Sequence, residues 1–97
     1  MENAATLWSL YAADELLIRT WEDEAVVFDA YSGNTYLVDQ MAVAILQYLD
    51  GKTTPQSKLV SECADRFGYE VDVDFTAYLI SVLNRLAGLK LLHCESR

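Results

Sequence analysis

The sequence predicts an α+β domain in which a three-stranded antiparallel sheet precedes three helices, in an outline similar to a winged helix. Two observations lead to this prediction. Short runs rich in β-branched and aromatic residues occupy the first half of the chain, and apolar residues recur at helical spacing in the second half. The 97 residues are enough for one domain with a single modest core, so we expect residues 1–97 to form a single domain.

Three strands are predicted ahead of the first helix. Leu16–Trp21 is rich in β-favouring residues, and a polar turn separates it from Ala25–Asp29. Gly33 and the following asparagine tolerate positive φ, which favours a turn before the third run, Thr35–Asp39. We expect these runs to form a sequential meander. The pattern does not decide which face of the third strand is buried, because neighbouring positions along it are apolar.

Two further segments have some strand character. Leu7–Tyr11 is a candidate for an additional strand near the start of the chain. Leu89–Leu92 is a short apolar extension near its end, either a strand or a packed tail.

The first helix is predicted at Gln40–Leu49, directly after the third strand and without a linker. Asp39 is the expected N-cap, because its carboxylate can accept backbone N–H bonds. The second helix is predicted at Pro55–Phe67, with Thr54 as its cap and the proline at its first position, where no N–H is needed.

The third helix is predicted at Phe75–Ala87, with Asp74 or Asp72 as its cap and Gly88 as its end. Its apolar arc is wider than a small helix packed on one side requires. That arc comprises Phe75, Tyr78, Leu79, Val82, Leu83 and Leu86.

The charge of the chain is uneven. The net charge is −8, and residues 1–50 contain nine acidic residues and one basic residue, whereas residues 51–97 contain six of each. The imbalance therefore lies in the half that contains the strands, and such a surface favours basic partners over phosphate backbones. The scattered basic residues form no stripe, so nucleic acid is not an expected partner.

Catalytic chemistry is not predicted. The only histidine, His93, has no carboxylate partner in sequence, and with Cys94 it supplies two of the four ligands that a structural zinc site usually needs. Cys63 is expected in the core. We therefore predict no enzyme activity, no metal and no cofactor.

No membrane partner is predicted, because no apolar run approaches the roughly 20 residues that span a bilayer. The start of the chain has no basic region followed by an apolar stretch, so a cytoplasmic location is expected.

The predicted meander leaves an edge strand, either Thr35–Val38 or Leu16–Trp21. Edge strands present unpaired N–H and C=O groups, to which an extended peptide can add as a further strand. A groove between that edge and the third helix would then contact the side chains of the guest. Alternatively, Leu7–Tyr11 or a dimer partner covers the edge, or the three helices bind DNA as in a winged-helix regulator.

The chain also resembles a known family. The residues that carry the resemblance are, in order, Trp21–Glu24, Val26–Asp29, Ser32–Asp39, Ala44–Leu46, Leu49–Gly51, Asp74, Phe75, Leu79 and Leu83–Leu89. They resemble the PqqD-like proteins, also called RiPP precursor peptide recognition elements, and among these the peptide chaperone of the HPr-related gene system. The resemblance covers roughly residues 16–92.

The resemblance implies a three-stranded sheet followed by three helices, and a non-catalytic adaptor that binds the leader of a precursor peptide. The leader adds to the third strand, packs against the third helix and is presented to a modifying enzyme, for example a radical SAM or HPr-kinase-related protein. A homodimer remains an alternative use of these surfaces. The implied peptide-binding residues are Thr35, Tyr36, Leu37, Val38, Phe75, Tyr78, Leu79 and Val82.

Overall fold

The computed structural model describes residues 6–11, 16–22 and 24–96. Several residues that contribute to the charge counts above lie outside the described residues, namely Glu2, Asp14, Glu15, Asp23 and Arg97. None of the three helices in the described part is long and apolar enough to cross a membrane.

The first sheet is the predicted meander. Its strands are β2 (Leu16–Trp21), β3 (Glu24–Asp29) and β4 (Asn34–Asp39), all antiparallel and in the order β2-β3-β4. One row of the register joins Ile18, Val27 and Tyr36, and these side chains face the interior. The predicted α+β class, with a meander that leads into three helices, is confirmed.

The turn between β3 and β4 is organised by Asp29, whose side chain is almost fully buried at 1% exposure. Its carboxylate accepts bonds from the Tyr31 amide at 3.0 Å and from Ser32 Oγ at 2.9 Å. The carbonyl of Asp29 accepts from the amide of Gly33, which has a φ of +82° that favours glycine. This turn fixes the register that begins with the pair Asp29 and Asn34.

A second sheet brings distant parts of the chain together. Its strands are β1 (Thr6–Leu10), β5 (Thr54–Pro55) and β6 (Leu92–Ser96), in the order β5-β1-β6. The expected early strand therefore exists, although it begins at Thr6 and ends at Leu10. The apolar extension at the other end, Leu89–Leu92, becomes strand only at its last residue, where Leu92 pairs with Leu10.

Helix α1 spans Gln40–Tyr48, and its predicted cap is confirmed because Asp39 Oδ1 accepts from the Ala42 amide at 3.0 Å. Residues 41–46 are all buried, so this helix forms the centre of the core. Since Asp39 is both the last residue of β4 and the cap of α1, the strand and the helix are joined with no intervening residue.

Helix α2 spans Gln56–Phe67, and the predicted cap is wrong. Thr54 is buried in β5 opposite Trp8, and Pro55 occupies the N-cap position without a side-chain bond. The start of α2 is instead tied to the second sheet, because Trp8 Nε1 donates to Gln56 Oε1 at 3.0 Å. This long-range pairing competes with the local capping role that the sequence favoured.

Helix α3 spans Val73–Gly88, and of the two candidates Asp72 is the cap, since its Oδ1 accepts from the Phe75 amide at 2.8 Å. The predicted stop at Gly88 is wrong, because that glycine is the last helical residue. The chain leaves the helix at Lys90, which has a φ of 65°. The Lys90 amide donates to Ala87 and the Leu91 amide donates to Leu86, the bonding pattern of a Schellman motif.

Candidate functional site

The outer edge of β4 is the first component of the site. β4 pairs with β3 on one side, and no strand in the described part of the chain pairs with its other edge. β1, which was a candidate cover for this edge, pairs with β5 and β6 instead. Backbone N–H and C=O groups along the outer edge of β4 therefore have no strand partner among the described residues.

Side chains alternate along β4 and settle which face is buried. Tyr36 is half-buried and Val38 is buried at 8% exposure, so these two face the interior. Thr35 is exposed and Leu37 is 68% exposed, so these two face outward. The period of two that every strand imposes places alternate residues on opposite faces.

A cleft runs along this edge, between β4 and the last turns of α3, with a volume of about 520 Å³. We call it the edge cleft. Tyr36 crosses its inner side, where its Oη donates to the Leu89 carbonyl at 3.3 Å and accepts from Asn34 Nδ2 at 3.2 Å. The residues that line the edge cleft are Glu24, Thr35, Tyr36, Leu37, Val38, Asp39, Arg85 and Leu89.

A second cavity, of about 400 Å³, lies at the start of α3, and we call it the aromatic pocket. Tyr69 and Phe75 stack with ring centroids 5.2 Å apart and planes 23° apart, and Tyr78 is tilted against Phe75 at 6.4 Å. The apolar lining is Met41, Tyr69, Phe75 and Tyr78, and the charged lining is Glu70, Asp72 and Asp74.

Tyr78 lines the aromatic pocket and interacts electrostatically with two residues of the edge cleft. Partial burial of the ring raises the pKa of the Tyr78 hydroxyl, the carboxylate of Asp39 raises it further, and the guanidinium of Arg85 opposes both. Asp39 and Arg85 line the edge cleft, whereas Tyr78 lines the aromatic pocket. The spacing of Tyr78, Arg85 and Leu89 also places them on one face of α3. The two cavities are therefore neighbours along that face.

The residues implied by the family resemblance divide into three groups. The four strand positions, Thr35–Val38, line the edge cleft, and Phe75 and Tyr78 line the aromatic pocket. Leu79 and Val82 line neither cavity and are buried at 0% and 3% exposure in the core. The wide arc of α3 thus serves two purposes, because one part packs the interior and another borders the cavities.

Nine of the described lining residues were not predicted as part of the site. Five of them are acidic, and the other four are Met41, Tyr69, Arg85 and Leu89. Arg85 and Leu89 follow Tyr78 at intervals of seven and eleven positions, so helical spacing would have indicated them. Tyr69 lies between α2 and α3, where no periodic signal exists. Met41 belongs to a helix that is buried on most sides, so its partial contact with a cavity has no signature in the sequence.

The first sheet also exposes apolar side chains on the face that points away from the core. In the register, Leu17 lies opposite Phe28, and Val26 lies opposite Leu37. Leu17, Trp21 and Leu37 are 65%, 57% and 68% exposed. We call this surface the outer sheet face, and its apolar members are Leu17, Trp21, Val26, Phe28 and Leu37.

The reactive side chains are dispersed. Burial raises the pKa of the Cys63 thiol to about 11, whereas Cys94 is exposed. His93 lies in β6 opposite Ser9. Within the described ranges, no three His, Cys, Asp or Glu side chains are grouped so that they would hold a metal ion.

Comparisons with known proteins give two matches. The family model described as "Coenzyme PQQ synthesis protein D (PqqD)" matches residues 24–92, which include all of β3, β4 and the three helices. A solved structure, "TbiB1 in Complex with the TbiA(beta) Leader Peptide", is similar with a TM-score of 0.60 and 26% sequence identity. The similarity covers 82% of this chain and 91% of that chain. No curated protein matches the chain in sequence.

Proposed function

Because the chain belongs to the PqqD family, we propose that it is a non-catalytic adaptor that binds the leader of a precursor peptide and presents it to a modifying enzyme. The leader adds to the outer edge of β4 as a further strand and lies in the edge cleft. The observation that carries this proposal is an edge of β4 with which no described strand pairs, beside a cleft whose other wall is α3. The solved relative in complex with a leader peptide supports it.

Backbone pairing and side-chain contacts have separate roles in this mode of binding. Thr35–Val38 supply backbone groups that set the register of the guest. Tyr78, Arg85 and Leu89 supply the wall of α3 that the guest side chains contact. Leu79 and Val82 act indirectly, since both are buried and hold α3 in place.

The outer sheet face supports the presenting half of the proposal. Apolar patches of this kind on a soluble domain usually mark a surface for another protein. Leu37 belongs both to this face and to the strand that receives the guest, so a guest strand would extend the same face. An enzyme on the outer sheet face would therefore lie beside the bound leader. A second copy of the chain is the alternative occupant, which would make the protein a homodimer.

The resemblance to the HPr-related gene system supports a narrower assignment. In that assignment the modifying enzyme is an HPr-kinase-related or radical SAM protein. The neighbouring genes provide the check: a short precursor gene and one of these enzyme genes beside this gene would support the assignment. A neighbourhood without either would remove the subgroup while leaving the peptide-binding role intact.

Binding to DNA is disfavoured by charge. Among the described residues, the lining of the two cavities includes one basic residue, Arg85, and five acidic ones, Glu24, Asp39, Glu70, Asp72 and Asp74. Such a surface repels phosphates. A duplex-binding assay at low salt is the direct comparison, because electrostatic affinity for DNA is greatest there.

The experiment that tests peptide binding uses two probes, the TbiA(beta) leader peptide and peptides selected from a displayed random-sequence library. Amide hydrogen exchange is followed by NMR. We expect alternate amides of β4 to gain protection when a binding peptide is added, because only alternate residues of a strand direct their N–H groups to one edge. Protection elsewhere with none in β4 would contradict strand addition.

A matched pair of modified peptides sharpens this test. N-methylation at the alternate guest positions that face β4 removes backbone donors and should abolish binding. N-methylation at the intervening positions should be tolerated far better. Equal losses for the two sets would mean that the side chains alone carry the interaction.

A further inference from the structure

We propose that the aromatic pocket binds a positively charged side chain, lysine or arginine, of the guest peptide. This inference rests on the proposed function and adds the chemical class of one guest residue. It assigns to the pocket a role separate from that of the edge cleft, which receives the backbone of the guest.

The lining of the aromatic pocket fits the two parts of a basic side chain. Phe75 and Met41, each 7% exposed, form an apolar floor, and Tyr69 and Tyr78 are exposed rings at its sides. Long basic side chains pack their aliphatic stems on such surfaces while the charged end stays near the rim. An ammonium or guanidinium group is also attracted to the face of an aromatic ring.

The charges of the rim select the sign of the guest. Three carboxylates, Glu70, Asp72 and Asp74, line the pocket, and none of the described residues that line it is basic. Asp72 also caps α3, and Asp74 lies in the first helical turn, where a negative charge is favourable. These roles explain why the helix starts with acids. They do not explain Glu70, which precedes the helix, or the net negative field over the pocket.

The adjacent end of the edge cleft has the same sign. Glu24 and Asp39 are directly opposite each other in the register of β3 and β4, and both are exposed. Like charges in that arrangement destabilise a sheet, and a cation placed near them would relieve the repulsion. Arg85 is the one basic residue among the described residues that line the cleft.

The position of the pocket determines which guest residue enters it. Asp39 ends β4, and Met41, two residues later, lies in the pocket. A strand paired with β4 therefore reaches the pocket at the end that lies beside Asp39. The basic residue is at that end of the paired segment, and not in its middle.

The test begins with the displayed random-sequence library selected against the full chain. We expect enrichment of lysine or arginine at one terminal position of the strand-forming segment. Binding of a selected peptide is then measured to wild type and to a Glu70→Gln, Asp74→Asn variant. The variant keeps Asp72, so the helix cap is intact. We expect about a ten-fold loss of affinity for the basic peptide. A peptide with leucine in place of the basic residue should bind the variant with almost the same affinity as it binds wild type.

The matched control is an Asp50→Asn, Asp65→Asn variant, which changes the net charge equally but alters neither cavity. It should bind the basic peptide as wild type does. Equal losses of affinity for the two variants would mean that the net charge of the protein, and not the aromatic pocket, attracts the basic peptide. If the selected peptides protect β4 amides from exchange but show no enrichment of lysine or arginine, this inference is overturned. The proposed function is unaffected by that result. If no peptide protects β4, the proposed function fails first.

Discussion

Tyr36 Oη donates to the main-chain carbonyl of Leu89 at 3.3 Å, and this contact joins β4 to the end of α3 across 53 residues of sequence. The two residues lie on opposite walls of the edge cleft. Their bond therefore holds the cleft at a defined width before any guest arrives. A preformed cleft avoids part of the ordering that a guest would otherwise impose.

Replacing Tyr36 with phenylalanine keeps the ring but removes this bond, together with the exposed bond that Tyr36 Oη accepts from Asn34 Nδ2. We expect the free energy of unfolding to fall by about 1 kcal/mol, the usual net contribution of a hydrogen bond of this kind. Urea unfolding followed by circular dichroism measures the change. Tyr31→Phe is the control, since Tyr31 is 66% exposed in the β3–β4 turn and should show almost no change. Equal stability of Tyr36→Phe and wild type would mean that solvent replaces the bond without loss.

Asp29 gives a second prediction, because a buried carboxylate supports the turn that positions β4. Asp29→Ala leaves the Tyr31 amide and the Ser32 hydroxyl without their acceptor, and we expect a loss of about 2 kcal/mol in the free energy of unfolding. Ser32→Ala keeps the bond to the Tyr31 amide but removes the bond to Asp29 and the exposed bond that Ser32 Oγ accepts from the Asn34 amide at 3.2 Å, and it should cost about 1 kcal/mol. If the two variants lose the same amount, the bond to the Tyr31 amide contributes no more than the exposed bond between the Asn34 amide and Ser32.

Much of this architecture was accessible from sequence because its signals are local. The alternating runs, the Gly33 turn and the Asp39 cap each depend on residues a few positions apart, and the structure contains all three. The second sheet was not accessible in the same way. β1 pairs with residues near the opposite end of the chain, and periodicity does not report such a partner.

The candidate site shows the same limit. The edge strand followed from the meander, but the sequence pattern did not decide which residues of β4 are buried. The structure shows that Tyr36 and Val38 face the core. Spacing on α3 predicted apolar residues and could not separate Leu79, which fills the core, from Tyr78, which borders a cavity. That division depends on how α3 packs against α1, which is a property of the whole fold.

The end of α3 supplies a third prediction. Gly88 is helical, and a β-carbon built there has nothing within 4 Å, whereas Lys90 has a positive φ that disfavours a β-carbon. We therefore expect Gly88→Ala and Lys90→Gly each to raise the free energy of unfolding by about 0.5 to 1 kcal/mol. Thermal unfolding should show each as a higher midpoint.

Lys90→Ala separates backbone strain from charge in that experiment. It removes the ammonium group but keeps the β-carbon. We therefore do not expect it to raise the free energy of unfolding as Lys90→Gly does. A gain of equal size in Lys90→Ala would attribute the effect to the lysine side chain and not to the left-handed backbone.

Cys63 predicts a loss of stability in alkaline solution. Burial raises the pKa of its thiol from the ordinary value of 9.0 to about 11. Above pH 9 the unfolded chain releases this proton while the folded chain retains it. Deprotonation therefore stabilises the unfolded state relative to the folded state. The contribution of the neutral thiol is complete below pH 9 and declines by about 2 to 3 kcal/mol as the pH approaches 11.

The measurement is urea unfolding under reducing conditions at several pH values between 8 and 11 for wild type and Cys63→Ala. The alanine variant has a lower stability throughout because of the cavity, but its decline with pH should be shallower. Tyr78 remains in both proteins, and its raised pKa adds the same alkaline decline to each. Parallel curves for the two proteins would exclude Cys63 as a contributor.

The outer sheet face gives the last prediction, which separates binding of the guest from its presentation. Leu17→Ser and Trp21→Ser alter exposed side chains of β2, on the far side of the sheet from the β4 edge. We expect the free energy of unfolding to change by about 0.5 kcal/mol or less, and the affinity for a selected peptide to stay the same. Modification of the bound precursor by an enzyme encoded beside this gene should fall, because the apolar contact surface is lost.

Val73→Ser is the matched control for these two variants. Val73 is 84% exposed but lies on α3, outside the outer sheet face, so its replacement should leave modification unchanged. Sedimentation over a range of concentrations distinguishes the other occupant of that face. If wild type forms a dimer that Leu17→Ser and Trp21→Ser dissociate, the exposed residues of β2 serve self-association, and the enzyme must contact the adaptor elsewhere.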